Sequence, residues 1–464
     1  MNANSEPTGT LDIALAHTQR LLQVDPKAAV EQAAEILKVV PNHPVATLLL
    51  GLALGADRQG DAALATLRRA VQLKVDMPDA WRALGDHLTA IGEAQGADQA
   101  YAQHIRYSTR DPRLMEAAAA LCENRIAPAE ALLRAHLKQH PTDVAAIRML
   151  AEIAARLGRY GDAESLLVRC LELAPSFDPA RHNYAVVLHR QNKSAAALEQ
   201  INRLLETSPR NPSFRNLKAA ILGHIGEYEQ SIDVYADVLA EYPNNAKVWM
   251  SYGHALKTAG RQDESISAYR RSIERASNLG EAWWSLANLK TVKFTPEDVA
   301  AMRTQLARPD LTNEDRFHFH FALGKALEDA GEYAESFEHY SNGNELRRKA
   351  ISYDPDQTSA HVRRSKALFT REFFQQRAGS GTEAPDPIFI VGLPRAGSTL
   401  LEQILSSHPL VEGTMELHDI ISIARTLGGR KGRGEVSKYP EVLATLSEDQ
   451  LRALGEQYLQ QTRI

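Results

Sequence analysis

Cysteine is nearly absent from this chain. Cys122 and Cys170 are the only two in 464 residues, too few for a disulfide framework or a four-thiolate zinc site. Both fall inside helical patterns and are expected to be core thiols. Aromatic residues are scarce as well, 6% against a hydrophobic content of 44%. The apolar material is mostly alanine and leucine, which suits stacked helices and not β-sandwiches. Neither sign of charge dominates: Lys+Arg 53 stands against Asp+Glu 58, a net charge of -5. No global field therefore draws the chain onto nucleic acid or an anionic membrane, and any anion site must be local. Long hydrophobic runs are missing too. The stretch Val45–Ala56 falls well short of the ~20 residues a spanning helix needs. The start, Met1 to Leu11, has neither the basic nor the apolar region of a secretory signal. A cytoplasmic address with no membrane partner is expected. Histidines such as His182, His224 and His254 have no acid at metal-ligand spacing, so no metal is expected.

What the chain does contain is a repeat. One frame recurs every 34 residues, with Ile147, Arg181, Arg215, Trp249 and Trp283 in one slot. Four residues on, the slot is always small: Ala151, Ala185, Ala219, Gly253, Ala287. A side chain larger than serine there would hold two antiparallel helices apart. Ala163, Ala197, Ser231 and Ser265, then Leu167, Ile201, Tyr235 and Tyr269, supply the second helix's contacts. Glycine turns at Gly158, Gly226 and Gly260 separate the helices, and Pro175, Pro209 and Pro243 close three of the units. The same pattern passes through Gly51 and Leu67, through Trp81, Gly85 and Tyr101, and through Gly324, Ser336 and Tyr340. These residues resemble the tetratricopeptide repeat over residues 10–345, with weaker fits near 10–40 and 112–141 and an interruption around 291–316. The resemblance implies a right-handed superhelix whose concave face takes a protein or peptide partner. The spacing makes Trp81, Trp249, Trp283, Tyr269 and Tyr340 packing residues.

Residues 346–386 read as a helix and a linker, after which the period changes. Ile388-Phe389-Ile390-Val391, bounded by Pro387 and Gly392, has the form of a strand buried on both faces. Gly392-Leu393-Pro394-Arg395-Ala396-Gly397-Ser398-Thr399 follows, then Leu400, Leu401, Ile404 and Leu405 at helical spacing. Strand, glycine turn and helix together cradle an oxyanion, because unpaired N–H groups and the helix dipole converge on it. The nucleotide-triphosphate loop has lysine where Ser398 stands, so a kinase-like enzyme is disfavoured and the cation is Arg395. The run Pro394 to Leu400, with Ser407-His408-Pro409 behind it, resembles the 5′-phosphosulfate loop of the sulfotransferase superfamily. The likeness is nearest to tyrosylprotein sulfotransferases and to bacterial proteins that join such a domain to tetratricopeptide repeats. Ala396 departs from the family's serine. The resemblance implies 3′-phosphoadenosine 5′-phosphosulfate as co-substrate, without a metal, bound by Pro394, Arg395, Ala396, Gly397, Ser398 and Thr399. Arg395 would also stabilise charge during transfer.

In tyrosylprotein sulfotransferases a glutamate shortly after the His-Pro pair deprotonates the acceptor hydroxyl, and counting from Pro409 puts Glu416 in that place. His418 is the reserve base and Glu412 ranks below it. A doubly wound domain takes ~100–150 residues, so residues 387–464 are expected to be only its opening, in a fragment of a longer protein. The 3′-phosphate contacts are expected beyond Ile464. The fold expected is thus mainly α, a repeat superhelix followed by the first β-loop-α unit of an incomplete α/β domain. Two functions fit: a sulfotransferase acting on a hydroxyl such as that of protein tyrosine, or a non-catalytic repeat scaffold with a decayed or truncated sulfotransferase segment.

Overall fold

The computed structural model describes residues 10–108, 111–351, 353–414, 416–429 and 436–462, and among these it contains helices and connecting segments but no strand. The chain divides into two compact units, residues 1–190 with 199–207, and residues 191–198 with 208–464.

In the first unit helices follow in antiparallel pairs: Pro44–Ala56 with Gly60–Leu73, Pro78–Ala90 with Ala94–Ser108, Pro112–Cys122 with Ile126–Gln139, and Val144–Arg156 with Tyr160–Leu173. Proline opens the first helix of three pairs, at Pro44, Pro78 and Pro112, where its missing N–H would be unpaired anyway. The core runs along the small and leucine slots: Ala151, Ala163, Leu167 and Cys170 are all at 0% exposure. Burial pushes the Cys170 thiol up to about 12, so it is an inert packing group. Cys122 differs from expectation. It is exposed, because it is the last residue of its helix and the chain turns away there.

This unit also buries a carboxylate. Asp143, 3% exposed, caps the helix Val144–Arg156 by accepting the Ala146 N–H at 3.0 Å. Its other oxygen meets His136 Nε2 at 2.8 Å, and His104 Nε2 lies 3.2 Å from Oδ1. Burial alone would push the Asp143 carboxyl up, but His104 and His136 outweigh it and hold it well below the usual range. Three helices, Ala94–Ser108, Ile126–Gln139 and Val144–Arg156, are joined through this one side chain.

The second unit repeats the pairing with Pro212–Ile225 and Tyr228–Glu241, then Ala246–Thr258 and Gln262–Arg275. Contact at the small slot is close: a Cβ on Gly253 would stand 2.6 Å from the Tyr269 ring. Ser231 and Ser265 donate hydroxyl hydrogen bonds to the Ala219 and Gly253 carbonyls at 2.7 and 2.8 Å, so a serine in the second helix tethers the first. The aromatic slot has a further use that periodicity did not reveal. The indole N–H of Trp81, Trp249 and Trp283 donates to the carbonyl six residues earlier, Val75, Pro243 and Ser277, at 2.7, 2.8 and 3.0 Å. Arg181 reaches Pro175 in the same way at 2.6 Å. Trp81, Arg181, Trp249 and Trp283 thus each donate to a carbonyl just after a helix end, whereas Arg215 in the same slot turns to Glu241.

Around 291–316 the repeat is replaced by one helix, Pro296–Leu306, opened by a Thr295/Asp298 capping box. The short helix Gly280–Ala287 then packs on Asn313–Asp329, which pairs with Tyr333–Ala350. Gly280 lies so near Asp315 that an added Cβ would come within 2.3 Å of the Asp315 carbonyl oxygen. Backbone cannot step aside as a side chain can, so Gly280→Ala is expected to destabilise the fold by ~1–3 kcal/mol or more. Urea unfolding followed by circular dichroism checks this. Gly161→Ala is the control, with nothing within 4 Å of the new methyl, and should be neutral or stabilising.

Candidate anion-binding loop and its surroundings

Residues 388–391 do not form the expected strand. They run as irregular backbone, with Ile388 and Phe389 each 61% exposed and Val391 89% exposed. A strand's hydrogen bonds are made with another segment, and no described segment pairs with this one. A helix lies beside it instead: Phe389 and Tyr458 have ring centroids 5.7 Å apart, and Gly455 abuts Thr382. Tyr458 belongs to the helix Glu448–Thr462. Its capping box is present, with Gln450 N–H donating to Ser447 Oγ at 3.3 Å and Ser447 N–H to Gln450 Oε1 at 2.9 Å.

The loop and helix after residue 391 do form. Leu393 to Ala396 make a tight turn closed by the Ala396 N–H on the Leu393 carbonyl at 3.1 Å. Arg395 sits in the left-handed region at φ 66° and Gly397 at φ 89°. A non-glycine residue there is uncommon and has to be held by its surroundings. Gly397 is the N-cap of the helix Ser398–Ser406, without a side-chain cap, and the first helical bond runs from Leu401 N–H to the Gly397 carbonyl at 3.0 Å. The N–H groups of Ser398, Thr399 and Leu400 therefore have no partner within the helix. All of residues 392–400 are exposed. Among the described residues no carboxylate pairs with the Arg395 guanidinium. A free cation, three open N–H groups and two hydroxyls thus share one end of one helix, which is the chemistry an oxyanion needs.

The candidate bases lie on the segment that follows this helix. Beyond His408 the chain folds back so that Gly413 lies against Ser406 and Glu402 of the same helix. Glu416 is exposed on the irregular segment that follows, and among the described residues it forms no ion pair with Arg395. Glu412 is exposed too. His418 is the N-cap of the helix Asp419–Leu427. Beside it stand groups that carried no signal in the sequence. Asp419 is 7% exposed and adds to the burial that raises Tyr458. His224 is lowered by burial and by the nearby His418, with Asp419 opposing. Among the described residues no three His, Cys, Asp or Glu side chains are grouped to hold a metal ion. No described helix is long and apolar enough to cross a membrane.

Residues 387–463 match the family model described as Sulfotransferase family. Residues 154–221, and 114–177 with 225–281, match models described as Tetratricopeptide repeat. An uncharacterized protein of Aquifex aeolicus (strain VF5) is 31% identical over 174 residues, 37% of this chain and 23% of its own length. The chain therefore spans less than a quarter of that relative. Solved structures with a likeness include MamA from Desulfovibrio magneticus RS-1, at 15% identity and a TM-score of 0.33 over 35% of this chain and 92% of that one. A tetratricopeptide repeat protein from Parabacteroides merdae is 14% identical, with a TM-score of 0.30 over 59% of this chain and 96% of that one. The chain thus carries tetratricopeptide repeats followed by a segment similar to sulfotransferases.

Proposed function

We propose that residues 387–464 hold the donor's 5′ end in a sulfotransferase, and that the complete protein moves the sulfuryl group of 3′-phosphoadenosine 5′-phosphosulfate to a hydroxyl, with protein tyrosine as the leading acceptor. The repeat array, residues 10–345 on this reading, recruits the acceptor protein or peptide on its concave face. The observation that carries the proposal is the left-handed Arg395 turn feeding an uncapped helix N-terminus, inside the segment similar to sulfotransferases. In the reaction the acceptor oxygen forms a bond to sulfur while the bond from sulfur to the bridging phosphate oxygen breaks. The acceptor's proton goes to a base, Glu416 in this scheme, and adenosine 3′,5′-bisphosphate leaves. Arg395 and the N–H groups of Ser398 and Thr399 face charge that grows on the bridging oxygen. No metal takes part in the scheme.

Isothermal calorimetry with adenosine 3′,5′-bisphosphate tests the binding half. Arg395→Ala in the complete protein should weaken binding by at least ~10-fold, since a charge-assisted contact contributes more than ~1.4 kcal/mol. Unchanged affinity would remove the loop from the donor site. Activity lost on adding a chelator would overturn the metal-free scheme. A second reading, a repeat scaffold without catalysis, is favoured by one observation: Ile388, Phe389 and Val391 lie exposed and outside any sheet. A complete protein that binds no bisphosphate and transfers no label would support it.

A further inference from the structure

In the second unit the second helix of a pair packs against the first helix of the pair that follows, as Tyr228–Glu241 does on Ala246–Thr258 and Gln262–Arg275 on Gly280–Ala287. The helix Tyr333–Ala350 breaks this rule. The next helix, Pro355–Leu368, buries no residue and packs on Glu441–Thr445 instead. Its Arg364 is fixed there by Glu441 and by the Ser437 and Tyr439 carbonyls.

One face of Tyr333–Ala350 is therefore open. Ser336 and Gly343 point inward, the first bonded to the Gly324 carbonyl at 2.7 Å and the second against His320 and Phe321. On the flank about a quarter turn round the helix from them, at helical spacing, stand Tyr333 and Phe337, 70% and 73% exposed, then Ser341, Asn344, Arg348 and finally Ile351, 45% exposed. The C-terminal half of this stripe edges an open hollow of about 540 Å³ that Arg347 also lines. In the repeat frame Asn344 takes the place of Leu171, Leu239 and Ile273, and Arg347 that of Ala174 and Ala276. An ordinary apolar repeat would have to bury an amide and a guanidinium to stack here, which is unfavourable.

Both guanidiniums are already positioned. Arg347 lies over the Phe317 ring at 5.2 Å and Arg348 over Tyr353 at 5.8 Å, while the neighbouring Lys349 is paired with Glu345 at 2.7 Å. Among the described residues neither arginine has a carboxylate partner. Arg348 Nη1 also donates to the Tyr353 carbonyl at 3.5 Å; stacking holds both planes and leaves Arg347 and the other Arg348 N–H groups for contact with carboxylates.

We propose that this face docks an acidic amphipathic helix of a partner protein, independently of the sulfotransferase reading. Stacking as the next helix of an array would stack, the partner runs antiparallel. Its acidic first turn then meets Arg347 and Arg348, and its apolar side further along covers Phe337 and Tyr333. Acids in a helix's first turn also suit its own dipole.

The probe is a labelled synthetic peptide helix with a leucine stripe and glutamates in its first turn, titrated into the full chain by fluorescence anisotropy. Its twin carries glutamine in place of each glutamate. The glutamate peptide should bind at least ~10-fold tighter than its twin, with the difference shrinking as salt rises. Arg347→Glu with Arg348→Glu should abolish the preference, and Phe337→Ala should weaken both peptides. Circular dichroism verifies that each variant stays helical; if the double variant unfolds, Arg348→Gln gives the same reading with less perturbation. Equal binding of the two peptides, or binding untouched by Arg347, Arg348 and Phe337, would overturn the proposal. So would self-association of the chain, seen by light scattering, that Phe337→Ala removes, because the face would then belong to a second copy.

Discussion

Asp143→Ala is expected to lower stability by ~3–5 kcal/mol, the usual consequence of removing one member of a buried ionic group. Two buried imidazoles, His104 and His136, would face an apolar methyl where a carboxylate stood. The helix Val144–Arg156 would also lose the side-chain cap on the Ala146 N–H. Asp143→Asn keeps the cap geometry and much of the volume, so it should cost less, and the difference between the two variants isolates the charge. Urea unfolding followed by far-ultraviolet circular dichroism measures both. The acid response carries the sign. Because the Asp143 carboxyl is held below its ordinary range, the folded state keeps it ionised while the unfolded chain takes up a proton. Its contribution is therefore complete above pH ~4 and is lost progressively as the pH falls. The wild type should lose more stability than Asp143→Asn between neutral pH and acid. Parallel acid curves, or a loss of under ~1 kcal/mol for Asp143→Ala, would show that the His-Asp-His group is incidental to the packing.

The second large effect belongs to the proposed reaction. In the complete protein Glu416→Gln should lower sulfuryl transfer by ~10²–10⁴-fold, the range of general base catalysis, while leaving affinity for the bisphosphate nearly unchanged. The carboxylate would touch only the acceptor's proton, a contact that matters as the proton moves and not when the donor binds. Arg395 should behave differently and affect binding and turnover together. In this chain Glu416 is exposed on the segment after the helix Ser398–Ser406. Transfer of labelled sulfate from donor to a tyrosine peptide decides the matter. Full turnover by Glu416→Gln would move the search to His418, which caps the next helix beside the half-buried His224 and the buried Asp419.

In the candidate site the helix Ser398–Ser406 was legible and the strand expected at Ile388–Val391 was not. The helix was readable because its bonds close within four residues and its start is marked by Gly397 in the left-handed region. The strand was not, because composition reports only that Ile388 to Val391 favour an extended backbone. Whether they form a sheet depends on a neighbour, and here the neighbour is the helix that carries Tyr458.

By itself the amino-acid sequence determined the helix pairs. Small slots such as Gly253, partner slots such as Tyr269, and punctuation such as Gly260 and Pro243 are spaced by the geometry of two helices and a turn, so the period carries the packing with it. It also determined that an arginine and open N–H groups would meet at Ser398. Only the tertiary structure decided what joins distant segments. His104 and His136 converge on Asp143 from two other helices, Gly280 admits Asp315 across a stretch where the repeat lapses, and Arg364 holds a segment more than 70 residues away. It likewise decided that Pro355–Leu368 turns to Glu441–Thr445 and leaves Phe337, Arg347 and Arg348 uncovered. Contacts of that kind depend on charge, shape and chain direction at places far apart in the sequence, and no local period records them.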